Sequence, residues 1–170
     1  QNGIYINAAG FINTQKATIT TGAINLQNGN IESYRVDKGE IQIDEEGLNT
    51  TNVDKTELYS KVVKLNAQIH SKDIDIVTGK NSISSDGSIN KIDEADESKP
   101  EVSLDSSSLG GIYANKITLI GTQDGVGVNL PIEINAQDEL KLNADGKISL
   151  DKVISNKNLE IKSNSNDINS

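Results

Sequence analysis

His70 is the only histidine in the chain, which excludes a two-histidine metal site and makes any His-based triad depend on one residue. It lies between Ile69 and the run Ile74-Asp75-Ile76, a setting that reads as a strand and gives it a structural rather than a catalytic role. Asp73 and Asp75 alternate on one strand face, as the paired carboxylates of a polysaccharide lyase or hydrolase would. Outward acids on a β-surface are ordinarily just solvated, and that is the expectation for both. Asp93-Glu94-Ala95-Asp96-Glu97 could attract Ca²⁺, yet it lacks the glycine and ligand spacing of a calcium loop and reads as a solvated loop. Gly110-Gly111, Gly121, Gly125 and Gly127 are followed by no Lys-Ser/Thr pair and open no helical pattern, so they read as sharp corners rather than a phosphate cradle. Asn49-Thr50-Thr51 is a formal glycosylation sequon of the kind an Asn-rich chain contains by chance. Nothing here composes an active site; the expectation is no catalytic residue, no cofactor and no metal.

The elements that carry these residues share one pattern: two aliphatics flank a polar residue, and a turn cluster follows. It occurs at Ile4-Tyr5-Ile6, Ile41-Gln42-Ile43, Ile74-Asp75-Ile76, Ile117-Thr118-Leu119, Ile132-Glu133-Ile134, Leu140-Lys141-Leu142, Ile148-Ser149-Leu150 and Leu159-Glu160-Ile161. Alternate side chains of a strand point to opposite faces, so each unit aims two aliphatics inward and one polar group outward. A three-residue strand cannot bury that face alone, whereas many of them stacked in a column can. Leu140-x-Leu142 returns as Leu159-x-Ile161 after 19 residues with Ile148-x-Leu150 between them, which matches one coil of a parallel β-helix. The fold class expected is all-β, a parallel β-helix.

Composition agrees. The 170 residues include a single phenylalanine, Phe11, and no Trp, Met or Cys, so isoleucine must carry most of the packing. β-Branched side chains suit a pleated surface and stack well on their own kind. A net charge of −9 and a single arginine, Arg35, argue against nucleic acid and against an anionic membrane surface. Without cysteine there are no disulfides or thiolate metal sites. No apolar run approaches a membrane span. No signal peptide is visible and Gln1 opens within a structured pattern, so the chain reads as a piece of something longer.

The middle is less regular. Leu58, Val62 and Val63 have roughly helical spacing, which allows a short helix or loop over 54–64. The stretch 80–105 breaks the pattern: between Asp86 and Asp105 seven acids face only Lys91 and Lys99, and Pro100 excludes a central strand. It reads as an excursion from the coil, a loop or exposed hairpin. The Asn/Ser-rich tail, 163–170, reads as frayed unless further coils follow it in the parent protein.

Three segments resemble the secretion domain of two-partner secretion exoproteins, the family of filamentous haemagglutinins and contact-dependent growth inhibition proteins. The first is Asn2-Gly3-Ile4 with Ala9-Gly10-Phe11-Ile12-Asn13-Thr14 and Ala17-Thr18-Ile19-Thr20-Thr21-Gly22, similar to the family's Asn-Pro-Asn-Gly-Ile start and the Gly-Phe-Ile-Asn-Thr stretch after it. The second is Val63-Lys64-Leu65-Asn66-Ala67 through Lys72-Asp73-Ile74-Asp75-Ile76-Val77-Thr78-Gly79. The third runs from Leu109-Gly110-Gly111-Ile112-Tyr113-Ala114 through Lys116-Ile117-Thr118-Leu119-Ile120-Gly121-Thr122 to Gly125-Val126-Gly127-Val128. Their order and spacing fit over about residues 2–130. Gln1 stands where the family has proline, and His70 where relatives carry a large aromatic.

The resemblance implies a right-handed parallel β-helix exported through the periplasm and across a Gram-negative outer membrane. The partner implied is a dedicated outer-membrane transporter whose periplasmic domains recognise the secretion domain, with the parent protein adhering to a host or neighbouring-cell receptor, or delivering a toxin, at the cell surface. It places the transporter-recognition motif at Asn2, Gly3, Ile4, Gly10, Asn13 and Thr14. Residues 1–130 are then the C-terminal part of the secretion domain, with the excursion at 80–105, and 131–170 are regular coils leading into a fibre shaft. The function expected is a secretion and adhesion module and not an enzyme; a β-helix polysaccharide-acting enzyme and a purely structural fibre segment are the alternatives. The lone arginine and the absence of tryptophan to stack on sugar rings weigh against the enzyme.

Overall fold

A computed structural model describes residues 3–95, 98–165 and 168–169. The first coil holds β1 (Gly3–Ile6) and β2 (Lys16–Thr20), followed by the hairpin of β3 (Ala23–Gln27) and β4 (Asn30–Val36). The second coil is β5 (Glu40–Ile43) and β6 (Leu48–Ser60), and the third is β7 (Val62–Leu65) and β8 (Gln68–Thr78), followed by β9 (Asn81–Ser84) and β10 (Ile89–Lys91). The fourth is β11 (Val102–Ser106) and β12 (Gly111–Gly121), and the fifth is the single long β13 (Gly127–Ala144). β14 (Ile148–Ser155) and β15 (Asn158–Ser163) make the sixth, and β16 (Ile168–Asn169) starts the next. No helix occurs among the described residues.

The coils stack in parallel into a β-helix with three faces. On the first face the column Ile4, Ile41, Val63, Leu104, Val128, Ile148, Ile168 runs the length of the molecule. On the second, Leu48, Ile69, Ile112, Ile134 and Val153 stack. On the third, Ile19, Leu58, Ile76, Leu119, Leu142 and Ile161 do. Their side chains form one continuous core, in which Ile41, Val63, Ile69, Ile74, Ile112, Ile117 and Leu140 are wholly buried. Each such aliphatic contributes about 1.5–3 kcal/mol of transfer free energy.

Corners between faces need turn chemistry. Gly47 has φ +71, and a Cβ there would meet the Gln68 carbonyl oxygen at 2.1 Å, so this corner accepts no side chain. The core also contains a hydroxyl cluster at the second corner, where Thr50 Oγ1 donates to Ser71 Oγ at 3.0 Å and Thr56 Oγ1 donates to Thr50 Oγ1 at 2.8 Å. That network satisfies buried polar groups where the backbone turns.

The two breaks in coil length fall at one corner, after the third face of coils one and three. Both excursions leave the β-helix there, and β4 pairs antiparallel with β9, giving a four-stranded sheet in the order β10-β9-β4-β3. Its apolar face covers outward positions of the third face through a second small core of Tyr34, Val36, Tyr59, Val77 and Ile83. Tyr34 and Tyr59 meet edge-to-face at 5.6 Å, a favourable quadrupole geometry.

Three expectations need correction. Residues 54–64 are not helical: Leu58 and Val63 point inward from β6 and β7, on two different faces, and the corner between them mimics helical spacing. Residues 102–105 belong to the β-helix and not to the excursion, since Leu104 stacks between Val63 and Val128. The alternation is masked there because Ser106 occupies the second inward position, paired with Leu65. The chain near its end is also not simply frayed: Ile168 pairs with Ile148, and Ser165 N donates to Asp145 O at 3.1 Å.

Candidate functional site

Of the six residues assigned to transporter recognition, Asn2 lies outside the described residues, and the other five all lie in the first coil. Gly3 and Ile4 belong to β1 on the first face, where Ile4 stacks on Ile41 and Gly3 pairs with Glu40. A Cβ on Gly3 would meet the Glu40 carbonyl oxygen at 3.6 Å, an ordinary contact, so the backbone does not demand glycine here. β1 pairs with β5 on one side only, which leaves its second edge open among the described residues.

Gly10, Asn13 and Thr14 lie in the irregular segment that carries the coil from the second face to the third. The segment is tied down at Ala9, whose carbonyl accepts from Asn49 N at 3.0 Å, and at Phe11, whose carbonyl accepts from Asn52 Nδ2. A Cβ on Gly10 would meet the Asn49 carbonyl oxygen at 3.2 Å, tighter than most real contacts. Asn13 is exposed with φ 56, a left-handed conformation that asparagine tolerates better than most residues. Thr14 Oγ1 donates to Lys16 O at 2.8 Å and sets the entry into β2. The structure therefore brings the five residues into one rung but not into one pocket: they are split between the first face and the corner before the third.

Sequence reasoning missed what surrounds Gly3. A cleft of about 500 Å³ opens beside β1, lined among others by Gly3, Tyr5, Lys38, Glu40, Lys61 and Ser98. Lys61 is buried, and its Nζ donates to Ser98 O at 3.1 Å and Ser98 Oγ at 2.9 Å, holding the second excursion against the first face. Tyr5 is exposed, and partial desolvation together with the carboxylates of Glu45 and Asp44 keeps its hydroxyl protonated above the ordinary tyrosine range. Glu57 is also buried. Its carboxylate accepts from Thr18 Oγ1 at 2.8 Å and pairs with Lys16 Nζ at 3.0 Å, clamping the third face of the first coil to the second. Burial and the adjacent Glu57 push the Tyr59 hydroxyl far up.

The residues with possible chemistry are engaged by neighbouring side chains. His70 is outward on β8 and stacks on Tyr113, ring centroids 5.0 Å apart and planes 11° from parallel. Asp75 pairs with Lys55 at 2.7 Å on an outward ladder. In the acidic run, Asp93 pairs with Lys91 at 3.2 Å, and Glu94 binds Arg35 at 2.8 Å, whose hydrogen bond and charge pull its carboxyl below the usual range. Asp96 and Glu97 lie outside the described residues. Among the described residues no cluster of three or more His, Asp or Glu side chains is arranged to hold a metal ion.

The family described as the TPS secretion domain matches residues 1–150. The chain is 39% identical over 150 residues to the 16S rRNA endonuclease CdiA of Enterobacter cloacae, covering 87% of this chain and 4% of that protein. It is 40% identical over 148 residues to the toxin CdiA of Yersinia pestis, covering 86% of this chain and again 4% of the relative. The chain thus spans about one twenty-fifth of the length of these relatives, and the activities in their names belong to proteins of which it matches a small part. The crystal structure of the filamentous hemagglutinin secretion domain superposes with a TM-score of 0.70 at 25% identity, over 99% of this chain and 63% of that one. Fold, matched residues and motif order agree: the chain belongs to the TPS secretion domain family of two-partner secretion exoproteins.

Proposed function

We propose that this chain is the part of a large exported bacterial surface protein that its outer-membrane transporter recognises from the periplasmic side, and that the first coil carries the recognition surface. The observation behind this reading is the gathering of Gly3, Ile4, Gly10, Asn13 and Thr14 into one coil of the β-helix, on β1 and the segment that leads into β2. Family membership supports the secretion role and a cognate transporter as partner. Adhesion to a host or neighbouring cell, or toxin delivery, is then the work of the parent protein, and residues 131–170 are coils leading into its shaft. The step of 20 residues from Val128 to Ile148 to Ile168 supports that extension.

Two measurements test it. The purified periplasmic region of the cognate transporter captures the chain in a pull-down, and no capture defeats the reading. Asn2→Ala and Asn13→Ala reduce export of the parent while shifting the thermal midpoint of the isolated chain only slightly, since a lost turn hydrogen bond costs about 0.5–1.5 kcal/mol. Normal export of both variants removes these asparagines from the recognition surface. Lost export with gross unfolding reduces them to corner supports.

A further inference from the structure

The two edges of the four-stranded sheet are built differently. β10 is three residues long, and its Lys91 is held by Asp124 at 2.6 Å and Asp93 at 3.2 Å, so that edge is short and charged. Such devices stop a free edge from pairing with another strand. β3, Ala23-Ile24-Asn25-Leu26-Gln27, has none of them: it is five residues long, carries no charge and no proline, and is exposed at every position. The extra residue at the β3–β4 bulge, Glu32, belongs to β4, so β3 itself stays regular. The hairpin turn holds it in register, with Asn28 at φ 52 and Gly29 at φ 80 as a tight two-residue turn requires. Ile24 (53% exposed), Leu26 (64%) and, on β4, Ile31 (41%) extend the sheet's apolar face past the part that covers Tyr59 and Val77.

We propose that the edge of β3 that pairs with no other strand among the described residues is a self-association site, pairing antiparallel with β3 of a second copy of this chain about a two-fold axis at Asn25. The sequence is self-complementary in that register: Ile24 faces the partner's Leu26, Asn25 faces its own copy, and Ala23 faces Gln27. No like charges are opposed at the seam, although each chain carries −9 overall. Two four-stranded sheets become one, and the uncovered aliphatics of both copies lie side by side. A five-residue seam buries far less than the ~1,200 Å² of a stable interface, so the dimer is weak and reversible. Because the remaining charge repels at longer range, salt strengthens it.

Sedimentation velocity of the 170-residue chain tests the proposal, over concentrations from about 10 μM to about 1 mM, a range that brackets weak association. The expected result is a sedimentation coefficient that rises with concentration, and rises earlier in high salt. Leu26→Lys returns the chain to a monomer throughout with its thermal midpoint unchanged, while Lys91→Ala leaves association intact. A monomer at every concentration, or a dimer indifferent to Leu26→Lys, overturns the proposal. So does an edge that binds the transporter's periplasmic region in a Leu26-dependent way while the chain alone stays monomeric.

Discussion

The β-helix and the sheet beside it solve the same problem with unequal means. In the β-helix the inward positions of the central coils are covered above, below and across, mostly by other aliphatics, so residues such as Ile41, Ile69 and Ile117 lose all contact with water. The four-stranded sheet has one apolar face, five buried residues in its core and an uncovered flank at Ile24, Leu26 and Ile31. A column that repeats coil after coil distributes each loss over its neighbours; a single layer resting on Tyr59 and Val77 does not. One short chain thus holds two units with unequal cover, and the less covered one is expected to open first.

Substitutions that strike only one of the two units separate them. Ile117→Asp has the largest effect, since it removes ~1.5–3 kcal/mol of burial and leaves an unpaired charge in the common core. Thermal melting then shows loss of the whole fold, and a wild-type melt would refute the column register. Ile83→Ala costs about 2–4 kcal/mol, felt only in the small sheet. Hydrogen exchange should lose protection in β3, β4, β9 and β10 while β12 and β13 keep theirs; uniform loss would show that the two units unfold as one. Glu57→Gln weakens the clamp on Lys16 and Thr18 by about 1–2 kcal/mol and loosens the first coil alone. Amide exchange in β2 reads it, and unchanged protection there would leave Glu57 without that role.

The smallest effect is acid-linked. Arg35 holds the Glu94 carboxyl below its ordinary range, so the contact contributes above the unfolded carboxylate value, about 4.3, and fades as pH falls through the lower folded one. Glu94 should detach from Arg35 in NMR titration below pH ~4 while the β-helix signals stay fixed. Detachment already at neutral pH would contradict the pairing.

Much of this was legible in the sequence. The Ile-x-Ile alternation names inward residues directly, because a strand's period of two leaves no other way to hide both aliphatics. The β3–β4 hairpin was not foreseen, although the sequence holds its sign: Asn28-Gly29 sits between two short apolar-containing runs. A second sign is the adjacent pairs Leu58-Tyr59, Ile76-Val77 and Leu119-Ile120, where an apolar residue replaces the expected outward polar one. Those outward positions are the ones the small sheet covers or borders, since Tyr59 and Val77 lie in its core and Ile120 packs against it. Strand 102–106 was hidden because a serine stands in a core column. The candidate recognition residues could be placed by resemblance, but their division between two faces could not, since it depends on where the coil bends.

The hairpin that leaves after the first coil cannot finish its sheet until β9 arrives, two coils later along the chain. For a polypeptide delivered one end first, this makes the small sheet a register gauge. Tyr59 of the second coil and Val77 of the third must already stand in line before β4 and β9 can close over them. A coil slipped by two residues would still bury its aliphatics, because the pattern repeats, but it would move these side chains out from under the sheet. The excursion thus penalises the one error that a repetitive core cannot detect on its own.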